Sequence, residues 1–480
     1  MKRERWSVVL LLLFVALTSA AQNVNHEYGC RHTPVNKNQE NRPYHLRRNP
    51  LQNFYQGEKR QLVFLVEFND RKFKAEDPLT FWDKVFNQEH LQESPFIGSV
   101  HDYFIDQSYG LFSLSFDLHH VSIDKSYAEY GGSTDSNVGL LLIQILNTIK
   151  DEAGNWSVYD WNHDGYVNQV IILFAGKGQN AGGGSSSIWP HQWSLSEQGR
   201  DPYVIDNKYC RVLVDTYCCI QELDAQGKYG VFGTICHEYS HCFGLPDLYY
   251  GKSSKVVDTW DLMDHGNYNG GGFRPCGYSA HERMLMGWLT PQELTAAATV
   301  SHMDALNDEP HAYMVRNDGF ANEYYILENR QQTGWDADLP GSGIVVFHID
   351  YDEEVWRTDF PNSDEEHRYS IVPANNEFSV KYLSDWPYPY GENNSLTNSS
   401  RPYASLFHMN STSSSYYMSK PITNMSVDNG IASFDFMGGG PVSVPESPAV
   451  QTSQPQVLYD LGPIYIIRNA DGEVRKVMKR

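Results

Sequence analysis

The sequence has few basic residues for its length. Its 480 residues include 37 Lys and Arg against 59 Asp and Glu, which gives a formal net charge of −22. This imbalance argues against nucleic acid or an anionic membrane surface as a partner, because both attract positive charge. The length allows two or three domains and ample chain to bury a sizeable core.

Long apolar runs are also scarce. One run covers residues 8–17, follows three basic residues near the start, and precedes the small residues 19–21. This pattern is typical of a secretory signal peptide over residues 1–21, and the run is too short to span a membrane. No other stretch has a transmembrane pattern, so we expect a secreted, extracellular protein without a transmembrane span once the signal is removed.

Cysteine is sparse, which excludes a small disulfide-rich scaffold. The seven cysteines are Cys30, Cys210, Cys218, Cys219, Cys236, Cys242 and Cys276. An oxidising compartment allows up to three pairs with one thiol left over, and the pairing cannot be deduced from sequence. Five of them lie between 210 and 242, where either a disulfide or simple burial as small side chains fits.

The most informative segment that is present begins with His237, Glu238 and His241. Two histidines four residues apart project from one face of a helix, so both imidazoles can bind the same metal ion. The glutamate beside the first histidine lies where it can accept a proton from water. Gly244 and Pro246 predict that the helix ends directly afterwards.

Asp247 follows this turn and can supply a third, oxygen ligand. Three protein ligands leave one zinc position open, which is typical of catalytic sites. The alternative, a surface helix with two solvated histidines, is disfavoured by the small and apolar residues 229–236. Met263 lies in a polar, glycine-containing segment soon after, as in the methionine turn that underlies the metal in metzincin proteases.

Residues 237–247 resemble the zinc signature of the immune-inhibitor-A-like secreted bacterial metalloproteases. Further segments are similar to that family, so the resemblance covers about residues 60 to 437: 63–70, 98–110, 159–167, 188–193, 323–330 and 339–350. The resemblance implies a zinc endopeptidase that acts on proteins or peptides, with Asp247 where metzincins more often have a third histidine.

The expected fold class is α/β (α+β), a metzincin-like catalytic domain with a twisted sheet and an active-site helix, followed by a β-rich domain. Strand patterns at 61–68 and 169–175 alternate with helical spacing at 81–86, 100–109 and 138–153. The predicted divisions are a signal peptide (1–21), a leader resembling a propeptide (22–58), the catalytic domain (59–290), the β-rich domain (291–437), a linker (438–455) and a C-terminal tail (456–480). The tail resembles short sorting segments that attach proteins to the cell surface, or else forms a small β-hairpin.

Cys30 lies in the polar leader, apart from the other cysteines. One hypothesis is a latency switch, in which its thiolate occupies the open zinc position until the leader is removed, as in a zymogen. The alternative is an unpaired or disulfide-bonded cysteine of the leader.

Residues 160–168 contain a possible calcium loop. Its candidate ligands are Asp160, Asn162, Asp164, Tyr166 and Asn168. Gly165 falls where a calcium loop turns sharply, but position 12 is Ile171 instead of the bidentate glutamate of an EF-hand. A polar turn leading into the next strand explains the pattern equally well.

The predicted mechanism uses Glu238 as general base and zinc on His237, His241 and Asp247. His265 and Tyr268 are candidates to stabilise the oxyanion. The alternative functions are a catalytically silent surface-binding protein on a protease scaffold, and an adhesin that binds through aromatic loops such as residues 386–390.

Overall fold

The structure is a computed structural model that describes residues 55–132, 137–249, 256–357, 361–363 and 367–440, together with three strands between 456 and 478. The predicted signal peptide, nearly all of the leader with Cys30, and most of the predicted linker lie outside the described residues. Among the described residues, no helix has both the length and the apolar character needed to cross a bilayer.

The helices and strands alternate in the first half of the chain, and strands dominate the second half. The α-helices are α1 (Pro78–Asn87), α2 (Val100–Gln107), α3 (Asn137–Ile149), α4 (Phe232–Ser240), α5 (Ala280–Leu285) and α6 (Glu353–Arg357). The strands of the first half are β1 (Gly57–Phe68), β2 (Phe112–Ile123), β3 (Val170–Lys177), β4 (His191–Ser194), β5 (Tyr203–Asp206), β6 (Arg211–Val214) and β7 (Thr216–Leu223).

The strands of the second half begin after α5. They are β8 (Gln292–Glu293), β9 (Ala298–Met303), β10 (Ala312–Arg316), β11 (Glu323–Arg330), β12 (Gly343–Asp350), β13 (Tyr369–Ile371), β14 (Ser405–Asn410), β15 (Ser415–Tyr417), β16 (Ile422–Asp428) and β17 (Ile431–Phe436). Near the C-terminus, β18 (Gln456–Asp460), β19 (Ile464–Arg468) and β20 (Val474–Met478) form an antiparallel three-stranded sheet. This is one strand more than a hairpin.

The first sheet has the strand order β2-β1-β3-β7-β4. Its first four strands are parallel, and the short edge strand β4 runs antiparallel to β7. Both faces are covered, because successive residues of β1 alternate between two hydrophobic cores. Val63 and Leu65 face the core that also contains α4, whereas Phe64 faces the core that contains α3.

The second half forms a five-stranded sheet of order β13-β12-β11-β10-β8 and two smaller sheets, β16-β17-β9 and β14-β15. The core around α4 continues into this region without a break, since it includes Ile326 and Phe347. Trp335 stacks on Phe232 of α4 with ring centroids 5.6 Å apart. The predicted α/β fold class, a catalytic domain followed by a β-rich region, is confirmed.

The first described residues already belong to the catalytic core. Tyr55 is buried, and the indole of Trp288 donates a hydrogen bond to its carbonyl oxygen at 2.8 Å. β1 starts at Gly57, two residues before the predicted start of the catalytic domain. The leader therefore gives way to the folded domain slightly earlier than its polar composition indicates.

Candidate metal centre

Helix α4 places the metal-binding motif inside the protein. All nine of its residues are buried, which requires a helix without a solvent-facing side. A short 3-10 turn, His241–Phe243, extends it and ends at Gly244, whose φ of 86° is left-handed. The predicted glycine stop is therefore present, because glycine adopts this conformation without a Cβ clash.

The three predicted ligands converge on one point. His237 Nε2 lies 3.2 Å and His241 Nε2 lies 3.3 Å from Asp247 Oδ1. Zinc binds such atoms at roughly 2.0–2.1 Å, so ligands at tetrahedral corners lie about 3.3 Å from each other. Among the described residues, this is the one group of three or more His, Cys, Asp or Glu with ligand atoms this close together. The donor set and its spacing therefore fit zinc.

Main-chain oxygens fix the orientation of both imidazoles. His237 Nδ1 lies 2.8 Å from the carbonyl oxygen of Leu262, and His241 Nδ1 lies 2.8 Å from that of Leu245. Since a carbonyl oxygen only accepts, each Nδ1 carries the proton and each Nε2 presents its lone pair to the metal position. Such outer hydrogen bonds are the usual support of histidine ligands.

The third ligand has a support that the sequence did not reveal. The hydroxyl of Tyr249 donates to Asp247 Oδ2 at 2.7 Å, which leaves Oδ1 directed at the two histidines. Tyr249 also lines the cleft beside the metal position. No motif spacing singles out this tyrosine, because its role depends on the turn after Pro246.

The two carboxylates in this cluster favour a positive charge on or between the imidazoles. Burial alone would lower the pKa of His237, but the carboxylates of Asp247 and Glu238 outweigh it and raise the pKa to about 9. Asp247 is fully buried and Glu238 nearly so. Two carboxylates in a low-dielectric interior need a compensating cation, and a bound metal ion supplies one.

Met263 is fully buried in the core that contains α4. Its amide donates to Asp261 Oδ1 at 2.9 Å, and its carbonyl accepts from the amide of Leu248 at 2.9 Å. The second bond joins the methionine turn to the segment that carries Asp247. The turn thereby contacts His237, through Leu262, and the segment of the predicted third ligand, through Leu248.

An open cleft borders the metal position. Its lining includes His237, Glu238 and Tyr268, together with Asn180, Trp189 and Asn267. Glu238 therefore lines the same cleft as His237, one of the three predicted ligands.

The two candidate oxyanion stabilisers occupy different positions. Tyr268 lines the cleft, whereas the imidazole of His265 contacts the carboxylate of Asp264 at 2.5 Å. Burial opposes a charged His265, but Asp264 outweighs it and raises the pKa of the imidazole. Of the two predicted residues, Tyr268 is the one that lines the cleft.

The predicted calcium loop is a hydrogen-bonded turn. The carboxylate of Asp160 accepts from the amides of Asp164 and Gly165 at 3.1 and 2.9 Å, and Asn168 Oδ1 accepts from the amide of Trp161 at 2.5 Å. Asn162 donates its side-chain amide to Asp164 at 3.0 Å. These contacts form the polar turn of the alternative interpretation, and calcium binding stays a prediction.

Comparison with known proteins follows the same segment of the chain. Residues 147–288 match the family described as "Immune inhibitor A peptidase M6, catalytic domain". The chain is similar to the immune inhibitor A peptidases. The matched residues include the three predicted ligands, Glu238 and Met263, so the candidate metal centre lies within the segment that is similar to this family.

Two curated relatives support the resemblance. Immune inhibitor A of Bacillus thuringiensis subsp. alesti is 27% identical over an alignment of 280 residues, and the alignment covers 48% of this chain and 40% of the relative. The pre-pro-metalloprotease PrtV of Vibrio cholerae serotype O1 (strain M66-2) is 26% identical over an alignment of 208 residues, and the alignment covers 36% of this chain and 22% of the relative. The matches thus span two fifths or less of each relative. The predicted family resemblance is confirmed.

Proposed function

We propose that this chain is an exported, zinc-dependent endopeptidase that hydrolyses peptide bonds in extracellular proteins. The observation that carries the proposal is the convergence of two imidazole nitrogens on one carboxylate oxygen, at 3.2 and 3.3 Å, beside a cleft that Glu238 lines. Two relatives, one named immune inhibitor A and the other a pre-pro-metalloprotease, support the proposed peptidase function.

His237, His241 and Asp247 would hold the zinc ion. When bound there, zinc supplies Lewis-acid polarisation of the scissile carbonyl and lowers the pKa of water toward neutrality. Glu238 accepts the proton of the attacking water and returns it to the leaving amine. Burial of Glu238 keeps the proton transfer out of bulk solvent. Tyr268 donates its hydroxyl proton in a hydrogen bond to the oxyanion that develops in the cleft.

Export and processing are part of the proposal. Residues 1–21 direct export, and the following leader is removed as a propeptide. Cys30 keeps the proenzyme latent through its thiol. A Cys30→Ser chain should then cleave substrate before the leader is removed, and unchanged latency would discard the switch. The C-terminal tail attaches the protein to the cell surface, which fractionation of tailed and tail-less chains would test.

The alternative of an aromatic-loop adhesin receives little support from its proposed binding loop. Trp386 and Tyr388 are fully buried, and Tyr390 is the exposed aromatic residue of that loop. A single ring offers little stacking surface for a glycan.

One experiment tests the catalytic proposal directly. The secreted full chain is purified, its zinc content is measured by elemental analysis, and casein cleavage is followed with and without a zinc chelator. We expect about one zinc per chain and chelator-sensitive cleavage. Glu238→Gln should keep the zinc and lose activity by about 10²–10⁴-fold, whereas Glu58→Gln on the exposed start of β1 should change neither. Metal-free protein, or undiminished cleavage by Glu238→Gln, would refute the proposal.

A further inference from the structure

Asn267 is a buried polar residue in the wall of the cleft that borders the metal position. It lies in the 3-10 segment His265–Gly272, which follows the methionine turn. The residue is only 3% exposed, and its Oδ1 accepts no hydrogen bond from any residue that the structure describes. A buried carboxamide oxygen without a donor is unfavourable, so a cleft that contains one is suited to a ligand that donates to it.

The metal-binding helix holds the main chain around Asn267 in place. A Cβ on Gly233 of α4 would lie 1.9 Å from the carbonyl oxygen of Asn267, so the two segments are in direct contact. Further along the segment, the side-chain amide of Asn269 donates to the carbonyl oxygen of Thr259 at 2.9 Å. Asn267 therefore has a fixed position relative to Glu238 of α4, and a ligand that binds it does not have to order the main chain first.

The charges of the neighbouring cleft groups bear on which donor binds to Asn267. Glu238 and Asp264 line the same cleft. The carboxylate of Asp264 accepts from the amide of Asp258 at 2.8 Å and contacts the imidazole of His265. A cationic donor would be drawn to the carboxylates, whereas the uncharged carboxamide of Asn267 suits an uncharged N–H group. A peptide main chain supplies such a group at every residue except proline.

We propose that Asn267 Oδ1 accepts a hydrogen bond from a main-chain N–H group of the bound substrate, near the scissile bond, and thereby selects chains without proline at that position. The inference rests on the proposed peptidase function and names a feature of its substrates. The bond holds the chain through a group that nearly every residue has, so it fixes the position of the chain without recognising a side chain. Proline at that position has no N–H group and leaves the buried oxygen without a donor.

The test uses the secreted full chain and one peptide from casein that this chain cleaves. In a series of analogues of that peptide, an ester oxygen replaces one main-chain N–H group at a time, except at the cleaved bond. We expect kcat/KM to fall by about 10–100-fold at one position near the cleaved bond, and proline at that position to be disfavoured as strongly. In Asn267→Leu the unaltered peptide should already show this loss, and the ester at that position should add no further loss.

Two other asparagines provide matched controls with the same substitution. Asn180 also lines the cleft, and Asn180→Leu should keep the fall in kcat/KM at the ester position assigned to Asn267. Asn269→Leu removes a hydrogen bond that is made within the protein, so its melting temperature should fall. Asn267→Leu removes an oxygen without a partner in the protein, so its melting temperature should stay unchanged or rise. The melting temperature is measured without substrate and does not depend on peptidase activity.

Three results would overturn the inference and leave the peptidase proposal standing. The first is an equal fall on ester replacement in the unmodified chain and in Asn267→Leu, and the second is a series in which no ester position matters. The third is a melting temperature of Asn267→Leu as low as that of Asn269→Leu, which would show that the carboxamide stabilises the fold. If the unmodified chain cleaved no casein peptide at all, the peptidase proposal would be refuted, and this inference with it.

Discussion

The imidazole of His237 donates from Nδ1 to the carbonyl oxygen of Leu262 at a distance of 2.8 Å. This bond makes Leu262, the residue before Met263, part of the candidate metal centre, although 25 positions separate it from His237 in sequence. The buried methionine side chain anchors the turn, and the turn in turn orients the first histidine. We therefore expect metal affinity and core packing to be coupled at this point.

Replacement of Met263 by alanine tests that coupling. The side chain is fully buried, so its removal should lower the free energy of unfolding by about 2–5 kcal/mol. The zinc affinity should fall as well, because Leu262 is held less firmly. Met263→Leu keeps the volume and should cost less than about 1.5 kcal/mol. Urea unfolding and a competitive zinc chelator give the two measurements, and an unchanged zinc affinity in Met263→Ala would contradict the coupling.

Tyr249→Phe tests the support of the third ligand. The change removes the hydroxyl that donates to Asp247 Oδ2 and keeps the ring. We expect the zinc affinity to fall by about 10–100-fold, as for other partners of metal ligands, with little change in the melting temperature of the metal-free protein. Tyr209→Phe, at an exposed tyrosine, is the matched control. Equal zinc affinity in both variants would show that Tyr249 does not position Asp247.

Gly233 lets α4 approach the segment that lines the cleft. A Cβ at this position would lie 1.9 Å from the carbonyl oxygen of Asn267. Gly233→Ala must therefore push the two segments apart, and we expect a loss of about 1–3 kcal/mol in unfolding free energy. A change in the peptidase KM should accompany it, because Asn267 lines the cleft.

Gly271 provides the control for this collision. It has a φ of 66°, and no atom lies within 4 Å of a Cβ added there, so Gly271→Ala introduces backbone strain without a clash. We expect about 1–2 kcal/mol from that strain and no change in KM. A KM shift of the same size in both variants would contradict the claim that the close contact between Gly233 and Asn267 shapes the cleft.

The loop at residues 160–168 gives a prediction about calcium. Among the described residues, the one group of three or more His, Cys, Asp or Glu with converging ligand atoms is the candidate metal centre, and calcium requires six to eight oxygen ligands. We therefore expect a calcium-selective chelator to leave the melting temperature unchanged. A drop in melting temperature that calcium reverses, and that Asp164→Asn abolishes, would establish calcium binding at this loop.

The sequence predicted those features that depend on local spacing. The i and i+4 histidines, the glycine that ends α4, and the strands and helices with clear periodicity lie where the patterns placed them, within a few residues. Helix α3 ends at Ile149, four residues before the predicted end. Residues 150–153, the last predicted turn, have no fully buried side chain, and Gly154 follows them directly. Helix ends are the least well-marked part of a periodic pattern.

Features that depend on distant contacts were not predictable. Tyr249 reaches Asp247 only because of the turn between them, and Gly233 matters only because Asn267 packs across it. The calcium pattern shows the converse, since a spacing that suits calcium also suits a hydrogen-bonded turn.

The stacking of Trp335 on Phe232 bears on how the molecule can be divided. The β-rich half contributes side chains to the core around α4. Cutting the chain after residue 290 would therefore expose the buried side chains of α4 that pack against this half to solvent. The second half is thus part of the core of the enzyme and not an appended module. A shortened protein would need other side chains to replace this packing before its predicted metal ligands could keep their positions.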